Sequence, residues 1–532
     1  MISVGPAVPG DIHPFIGLDV PRLLARRAEA ASGQPFLLWE PVTGESQTLT
    51  YGQFRDRVRA LAAGLSQRSV RSGDRVIIHL ENCPQFLECW FACSTLGAVA
   101  ITTNTQATAT EFSYFVEHSK ASAIITQPGL LPVVTGAKVQ VRLLCCASRN
   151  PDGSRGAIAA AVPLEDCYGS SSDAVDRNVD PLADNSVQYT SGTTSRPKGV
   201  LWTHANALWG GAIGAAHLGL RADDVGLAYM PLFHTNALCY SMLATLWAGG
   251  ALVLMPKFSA GRFWPVALQR KCTWASMIPF AHKALLSQPD PVGRHSFRLW
   301  GCPHSDPAVE QRWGIHTVGW WGMTETISQC IVGYRHLTNR PGAMGSAAPE
   351  YEVSVRHPDG RPVSPGETGR LLVRGVRGVS IFKEYLNDPE TTAASFDDDG
   401  WFETGDMITL TESGQFQFAD REKDVLKVGG ENVSASEVER VILGVAGVAE
   451  TAVVGRPHEM LDEVPVAFVI AAEKVNKALE QAILAQCRTQ LARFKVPTEV
   501  IFVEDFARAA LNKIDKTRLR AQLRNAAAPK SA

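Results

Sequence analysis

Residues 52–127 constrain the fold more than any other stretch of this chain. Phe54, Val58, Leu61, Ala62 and Leu65 recur at helical spacing and stop before a turn at Ser72-Gly73-Asp74. The apolar run Val76-Ile77-Ile78 predicts a strand. A helix from Phe86 to Leu96, a strand from Ala98 to Thr102, a helix over 110–119 and a strand from Ala123 to Thr126 follow. Helix and strand alternating through short connections is the pattern of a parallel α/β sheet. Residues 147–180, rich in Ser, Gly and Asp without periodicity, read as a surface excursion.

The pattern restarts late in the chain. A turn-rich stretch at 357–369 precedes the apolar strand Leu371 to Val373, and turns recur at Asp398-Asp399-Gly400 and Glu412-Ser413-Gly414. After the charged run Asp420-Arg421-Glu422-Lys423-Asp424, a helix over 435–444, strands over 450–455 and 464–471 and a helix over 476–492 are expected. The expected organisation is a large α/β domain over 1–419, a linker over 420–424 and a smaller α+β domain over 425–532. At a prior of ~150 residues per domain, 532 residues suit a large first domain made of several subdomains.

Composition narrows the function classes. Hydrophobic residues make up 45% and charged residues 20%, which excludes disordered, collagenous and coiled-coil chains. With 51 basic against 53 acidic residues the net charge is −2, so no global field draws in nucleic acid or an anionic membrane. Nothing approaches the roughly 18 to 20 consecutive apolar residues of a membrane span, and the N-terminus carries no basic-then-apolar signal pattern. The eleven cysteines include no C-x-x-C, and Cys89 and Cys93 lack a second pair to complete a zinc site. Buried free thiols and a cytoplasmic location are therefore expected.

The run with the most chemistry is Thr190-Ser191-Gly192-Thr193-Thr194-Ser195-Arg196-Pro197-Lys198-Gly199, with five hydroxyl residues, two glycines and a lysine in ten positions. Glycines let backbone N–H groups approach an anion, hydroxyls donate further bonds and Lys198 adds a point charge. A hydroxyl-rich surface turn has the same composition, and the spacing is not that of a Walker A motif. Other enzyme classes find no support, because neither a G-x-S-x-G elbow nor a G-x-G-x-x-G fingerprint occurs.

With the motifs that follow it, this run resembles the phosphate loop T-S-G-T-T-G-x-P-K-G of the adenylate-forming superfamily, which includes acyl-CoA synthetases, peptide-synthetase adenylation domains and luciferases. Ser195 stands where the family usually has Gly. Trp321-Gly322-Met323-Thr324-Glu325 resembles Y-G-x-T-E. The resemblance implies that Trp321 stacks on adenine, Thr324 contacts phosphate and Glu325 helps hold Mg²⁺ against ATP. The segment Trp300-Gly301-Cys302-Pro303-His304 stands where the family shows G-G-A-P. Gly301, Cys302 and Pro303 would border the nucleotide, while Trp300 and Trp320 would wall a short or reshaped acyl pocket. Thr404-Gly405-Asp406 resembles the T-G-D motif whose carboxylate accepts the ribose hydroxyls. Arg421 would reach the ribose, Lys423 falls at the hinge position, and Gly429-Gly430 match the glycine-lined tunnel of CoA-using members.

Two further segments complete the resemblance. Pro231-Leu232-Phe233-His234-Thr235-Asn236 lies where amino-acid-activating relatives carry Phe-Asp, so a free α-amino acid is disfavoured and Phe233 and His234 would gate the acyl carbonyl. The segment Phe506 to Lys516 resembles L-P-x-T-x-x-G-K-I-x-K, with Ala507, Ala509 and Asn512 in place of Pro, Thr and Gly. Lys513 and Lys516 keep their positions, and Lys513 would enter the site during adenylation. Lys513 and Gly430 serve different half-reactions in the family, which implies that the small domain rotates between them. The implied activity is ATP-dependent activation of a small-molecule carboxylic acid as acyl-AMP and its transfer to CoA, by a monomer or homodimer. Loading of a carrier protein and a non-catalytic homologue are the alternatives.

Overall fold

The structure is a computed structural model that describes residues 14–158, 161–174, 177–190, 197–421, 424–428, 431–458, 461–472, 475, 477–491, 493–508 and 513–527. The described residues form two compact units. The larger holds residues up to Val353 together with Val373–Phe402, and the smaller holds Ser354–Leu372 and residues from Glu403 onward. The expected linker, 420–424, lies inside the smaller unit so defined.

The alternation read at 52–127 builds one sheet of the larger unit. Helices Tyr51–Gln67, Pro84–Leu96 and Ala109–Ser119 alternate with strands Arg75–His79, Val99–Thr102 and Ala123–Thr126. Local chemistry sets their ends. Thr50 with Gln53, and Thr108 with Glu111, form reciprocal capping boxes, while Pro84 opens its helix and Gly97, at φ 72°, closes it. The sheet has eight strands, in the order Glu384–Tyr385, Lys198–Thr203, Asp184–Thr190, Val99–Thr102, Arg75–His79, Ala123–Thr126, Leu143–Cys146, Val162–Pro163. From Asp184–Thr190 to Val162–Pro163 every pairing is parallel. Strands covered on both faces read as unbroken apolar runs, which is why Val76-Ile77-Ile78 and Ala123-Ile124-Ile125 are fully buried.

A nine-stranded sheet completes the larger unit, in the order Ser346–Ala347, Ile331–Val332, His316–Trp321, Leu299–Cys302, Trp274–Ser276, Val225–Ala228, Ala251–Leu254, Pro35–Trp39, Gln47–Thr50. The segment read as a surface excursion differs from that expectation. Val162–Pro163 extends the first sheet beside Leu143–Cys146, and Leu164 and Cys167 are fully buried behind it. Polar residues around those two hide them from a periodicity reading. All eleven cysteines are buried free thiols, and among the described residues no helix is long and apolar enough to cross a membrane.

Two more sheets follow. One has four strands, in the order Glu352–Arg356, Thr368–Arg374, Phe402–Leu410, Phe416–Arg421. Asp420 and Arg421, where the expected linker begins, end its last strand opposite Met407 and Asp406. The other sheet pairs Glu431–Ser434, Val425–Val428, Asp462–Ala471 and Val448–His458, with Glu499–Phe502 parallel to Asp462–Ala471. Helices Ala435–Leu443 and Lys477–Gln490 cover one face of it, where Val438, Ile442, Val469 and Ile483 pack.

Asn206 ties the larger unit together. Its side-chain amide donates to the carbonyls of Val379 (2.8 Å) and Ile381 (2.9 Å), and its Oδ1 accepts the N–H of Thr203 (3.0 Å). Asn206 is fully buried. Asn206→Ala removes these bonds, and the Val379 carbonyl and the Thr203 N–H lose them at about 1–3 kcal/mol each, while the Ile381 carbonyl keeps the Gly378 N–H at 2.8 Å. We expect it to lower the denaturation midpoint of the larger unit by roughly 2–4 kcal/mol equivalent in urea unfolding.

Candidate functional site

The strands Asp184–Thr190 and Lys198–Thr203 form an antiparallel hairpin with Thr190 opposite Lys198 and Tyr189 opposite Gly199. Ser191, Gly192, Thr193 and Thr194, which the sequence assigns to the phosphate loop, lie outside the described residues. The hairpin that presents them is braced. The Tyr114 hydroxyl, from helix Ala109–Ser119, donates to the Pro197 carbonyl at 2.8 Å, and the N–H of Leu386 donates to the Gly199 carbonyl at 2.7 Å.

The strand Glu384–Tyr385 pairs with Val200 and Leu201, and this brings Tyr385 beside Lys198. The Lys198 ammonium lies 4.6 Å from the centroid of the Tyr385 ring. The Tyr385 hydroxyl donates to Glu325 Oε1 at 2.9 Å. Glu325 is 4% exposed, and its backbone carbonyl accepts the N–H of Phe382 at 2.8 Å. Burial, and then the adjacent Glu325 charge, push the Tyr385 phenol well above its ordinary range, so it stays a donor. One aromatic side chain thus joins the cation of the phosphate hairpin to the carboxylate of the Trp321–Glu325 motif. The buried Glu325 carboxylate is an oxygen ligand of the kind a hard divalent cation takes.

Thr324 belongs to the same cluster. Its carbonyl accepts the indole N–H of Trp202 at 3.0 Å, and its hydroxyl lies 3.1 Å from that of Thr235. The Thr235 hydroxyl donates to Gln188 Oε1 at 2.6 Å. Thr235 directly follows Phe233 and His234, whose rings lie 4.3 Å apart, and precedes a π-helical stretch, Asn236–Leu243. Wide helical turns of this kind recur at functional sites. Tyr385, Thr235 and Gln188 are the partners that sequence reading missed. No motif marks them, because they matter only as neighbours of Lys198, Glu325 and Thr324.

Strand alternation sorts the expected pocket residues. Trp320 and Trp321 end the strand His316–Trp321 and face opposite sides of it. The Trp320 ring sits on Gly301, where any Cβ would collide with it, and meets Tyr240 edge-on at 5.7 Å. Gly322 is held as closely, since a Cβ there would press on the Tyr240 hydroxyl and the Ser328 carbonyl. On Leu299–Cys302, Trp300 and Cys302 flank Gly301 and so face the other way. Trp300 is fully buried among Phe263, Trp264, Phe297 and Trp313. Trp300 thus lies on the strand face opposite to the one on which Gly301 meets the Trp320 ring. The Cys302 thiol lies 3.4 Å from His282 Nε2, and burial pushes it far above the ordinary thiol range. Pro303 and Met323 follow these strands in turns, where the Met323 N–H donates to Thr326 Oγ1 at 3.0 Å.

The remaining assignments fall in the smaller unit. Asp406 is 2% exposed, and its N–H donates to Thr404 Oγ1 at 3.1 Å. Arg421 pairs with Asp406 in the strand register, but its side chain lies outside the described residues, as do Lys423, Gly429 and Gly430. The two terminal lysines differ. Lys516 is ion-paired with Glu439 at 2.8 Å, whereas Lys513 is exposed, beside the bridge of Arg508 to Ile514.

A family model described as AMP-binding enzyme matches residues 24–386, and one described as AMP-binding enzyme C-terminal domain matches 437–513. The crotonobetaine/carnitine–CoA ligase of Salmonella paratyphi A is 31% identical over 510 residues, covering 93% of this chain and 97% of that protein. The enzyme of the same name from Escherichia coli O7:K1 is 32% identical over 500 residues, covering 91% and 95%. Among solved structures, ATP-bound MatB from Rhodopseudomonas palustris aligns with a TM-score of 0.82 at 27% identity, covering 96% of this chain and 100% of that one. The o-succinylbenzoate CoA synthetase MenE of Bacillus subtilis, in complex with its acyl-adenylate, aligns with a TM-score of 0.82 at 25% identity, covering 97% and 99%. With both domain models in order along one chain, and CoA ligases matched almost end to end, the chain belongs to the AMP-binding enzyme family as an acid–CoA ligase of the AMP-forming type.

Proposed function

We propose that this ligase activates a compact carboxylic acid and passes the acyl group to free CoA, and that the Trp320 ring sets the size limit. The observation that carries the size class is the seating of Trp320 on Gly301, which leaves aromatic bulk where a longer acid would need a channel. Trp320 and Tyr240 also present aromatic faces, which attract onium groups as well as flat apolar bodies. Crotonobetaine and carnitine, named in the relatives, therefore head the acids to test.

In the first half-reaction a carboxylate oxygen of the acid attacks the α-phosphorus of ATP, the bond to the bridging oxygen breaks, and pyrophosphate leaves. In the second, a CoA thiolate attacks the carbonyl of the acyl-AMP and AMP leaves. The reaction asks the protein for positioning and for charge stabilisation. In this reading the hydroxyl-rich loop and Lys198 hold the phosphates, Trp321 stacks on adenine beside Gly301, Cys302 and Pro303, and Asp406 and Arg421 hold the ribose. Phe233 and His234 border the acyl carbonyl. Glu325 would hold Mg²⁺, which when bound supplies positive charge against the ATP phosphates. Lys513 serves adenylation, and Gly429 and Gly430 pass the CoA arm. A carrier-protein acceptor is the rival outcome to free CoA.

A panel of acids with ATP and Mg²⁺, followed by pyrophosphate and AMP release with and without CoA, tests this reading. CoA-dependent AMP turnover on compact acids is expected, with activity on longer acids rising in Trp320→Ala. A preference for long-chain acids in the unmodified enzyme overturns the size class, and one stoichiometric burst of pyrophosphate that CoA does not relieve points to a carrier protein. Removing the hydroxyl bond to Glu325 in Tyr385→Phe should slow pyrophosphate release by about 10- to 100-fold while leaving KM for the acid unchanged, as expected for a charge-assisted bond of ~1.5–3 kcal/mol. Lys513→Ala should slow acyl-AMP formation by about 10²- to 10³-fold. Thioester formation from supplied acyl-AMP and CoA should proceed at the unmodified rate in that variant, read by quenched-flow chromatography.

A further inference from the structure

The first sheet contains a topological switch point whose lining shares no residue with the site above. The strand Arg75–His79 lies between Val99–Thr102 and Ala123–Thr126. The chain leaves Arg75–His79 into helix Pro84–Leu96, which packs with Tyr51–Gln67. It leaves Ala123–Thr126 into helix Leu131–Gly136, which packs with Ala109–Ser119. The two connections lead to opposite sides of the sheet order. In open α/β sheets such a parting opens a crevice beyond the carboxyl ends of the strands, and ligands bind there. A cavity of about 240 Å³ occupies that place, floored by Leu80, Gln127 and Ala147, the residues that directly follow three of the parallel strands.

The polar groups of the cavity divide into committed and uncommitted ones. Gln127 donates to Glu81 Oε2 and accepts the Glu81 N–H, both at 2.9 Å, while Asn150 Oδ1 accepts the Gly129 N–H at 2.8 Å. Trp39 is only 8% exposed and lines the cavity, and its indole N–H meets no acceptor among the described residues. Arg149 makes one side-chain bond among the described residues, from Nη1 to the Gly153 carbonyl at 3.3 Å, and so keeps most of its donors. Trp39, Leu80 and Pro84 supply apolar surface. The Thr43 hydroxyl donates to the Asp152 carbonyl and ties the two loops at the rim, where Glu45 is exposed.

We propose that this crevice binds a small organic monocarboxylate, its carboxylate on Arg149 and the Trp39 N–H and its body against Trp39, Leu80 and Pro84. The planar guanidinium fork matches a carboxylate in two-point geometry. At about 240 Å³ the cavity has room for a single-ring acid. A second negative group would meet Glu45, which selects monoanions.

The test uses the full-length chain carrying 5-fluorotryptophan, with the Trp39 signal assigned by its loss in Trp39→Phe, and benzoate as the probe. A saturable shift of the Trp39 fluorine resonance is expected. Arg149→Gln should weaken it by about tenfold, the size of one lost charge-assisted contact, with the ligase rate unchanged. Calorimetric titration of benzoate into the unmodified and Arg149→Gln proteins reads the same loss without the assignment. A shift with inorganic phosphate and none with benzoate overturns the carboxylate class. No response to either probe, or equal benzoate binding in Arg149→Gln, overturns the site.

Discussion

Charge in the larger unit is organised by the phenol of Tyr385. Its ring lies under the Lys198 ammonium and its hydroxyl donates to Glu325, so two groups of opposite sign are held apart at a defined spacing. A neutral donor and a π face are weaker partners than a direct ion pair would be. Because Tyr385 stands on a two-residue strand at the edge of the first sheet, the pairing of Glu384–Tyr385 with Val200 and Leu201 sets the geometry of the whole cluster. The Asn206 amide bonds to Val379 and Ile381 hold the chain leading into that strand.

The pleat imposes a second constraint. At Leu299–Cys302 and His316–Trp321, consecutive residues face opposite sides, so both faces of the sheet are furnished from the same few positions. Gly301 gives its side to the Trp320 ring, while Trp300 and Cys302 turn to an aromatic cluster and to His282.

Much of this was legible beforehand. The helices and strands of 52–127 lie within one or two residues of where periodicity puts them, because each carries its own caps and turns. Thr190 and Lys198 stood out in a run rich in hydroxyls and glycine with one lysine, and Thr324 and Glu325 through the family resemblance of their motif. Less legible was the segment 147–180, where Leu164 and Cys167 are buried by a two-residue strand that no pattern announces. At the start of the charged run, Asp420 and Arg421 end a strand whose pairing with Met407 and Asp406 no local pattern announces.

By itself, then, the sequence determined what depends on neighbours along the chain: the alternation of elements, the order of the motifs and the chemical class of the reaction. Tertiary structure alone decided what depends on neighbours in space. Tyr385 became the link between Lys198 and Glu325, Trp300 joined an aromatic cluster while Trp320 turned to Gly301, and the crevice beneath Trp39 formed where three strands end together. These outcomes turn on which face of a strand a residue occupies and which strand lies beside it. Sheet pairing between segments far apart in the chain determines both, and no local pattern of residue types encodes it.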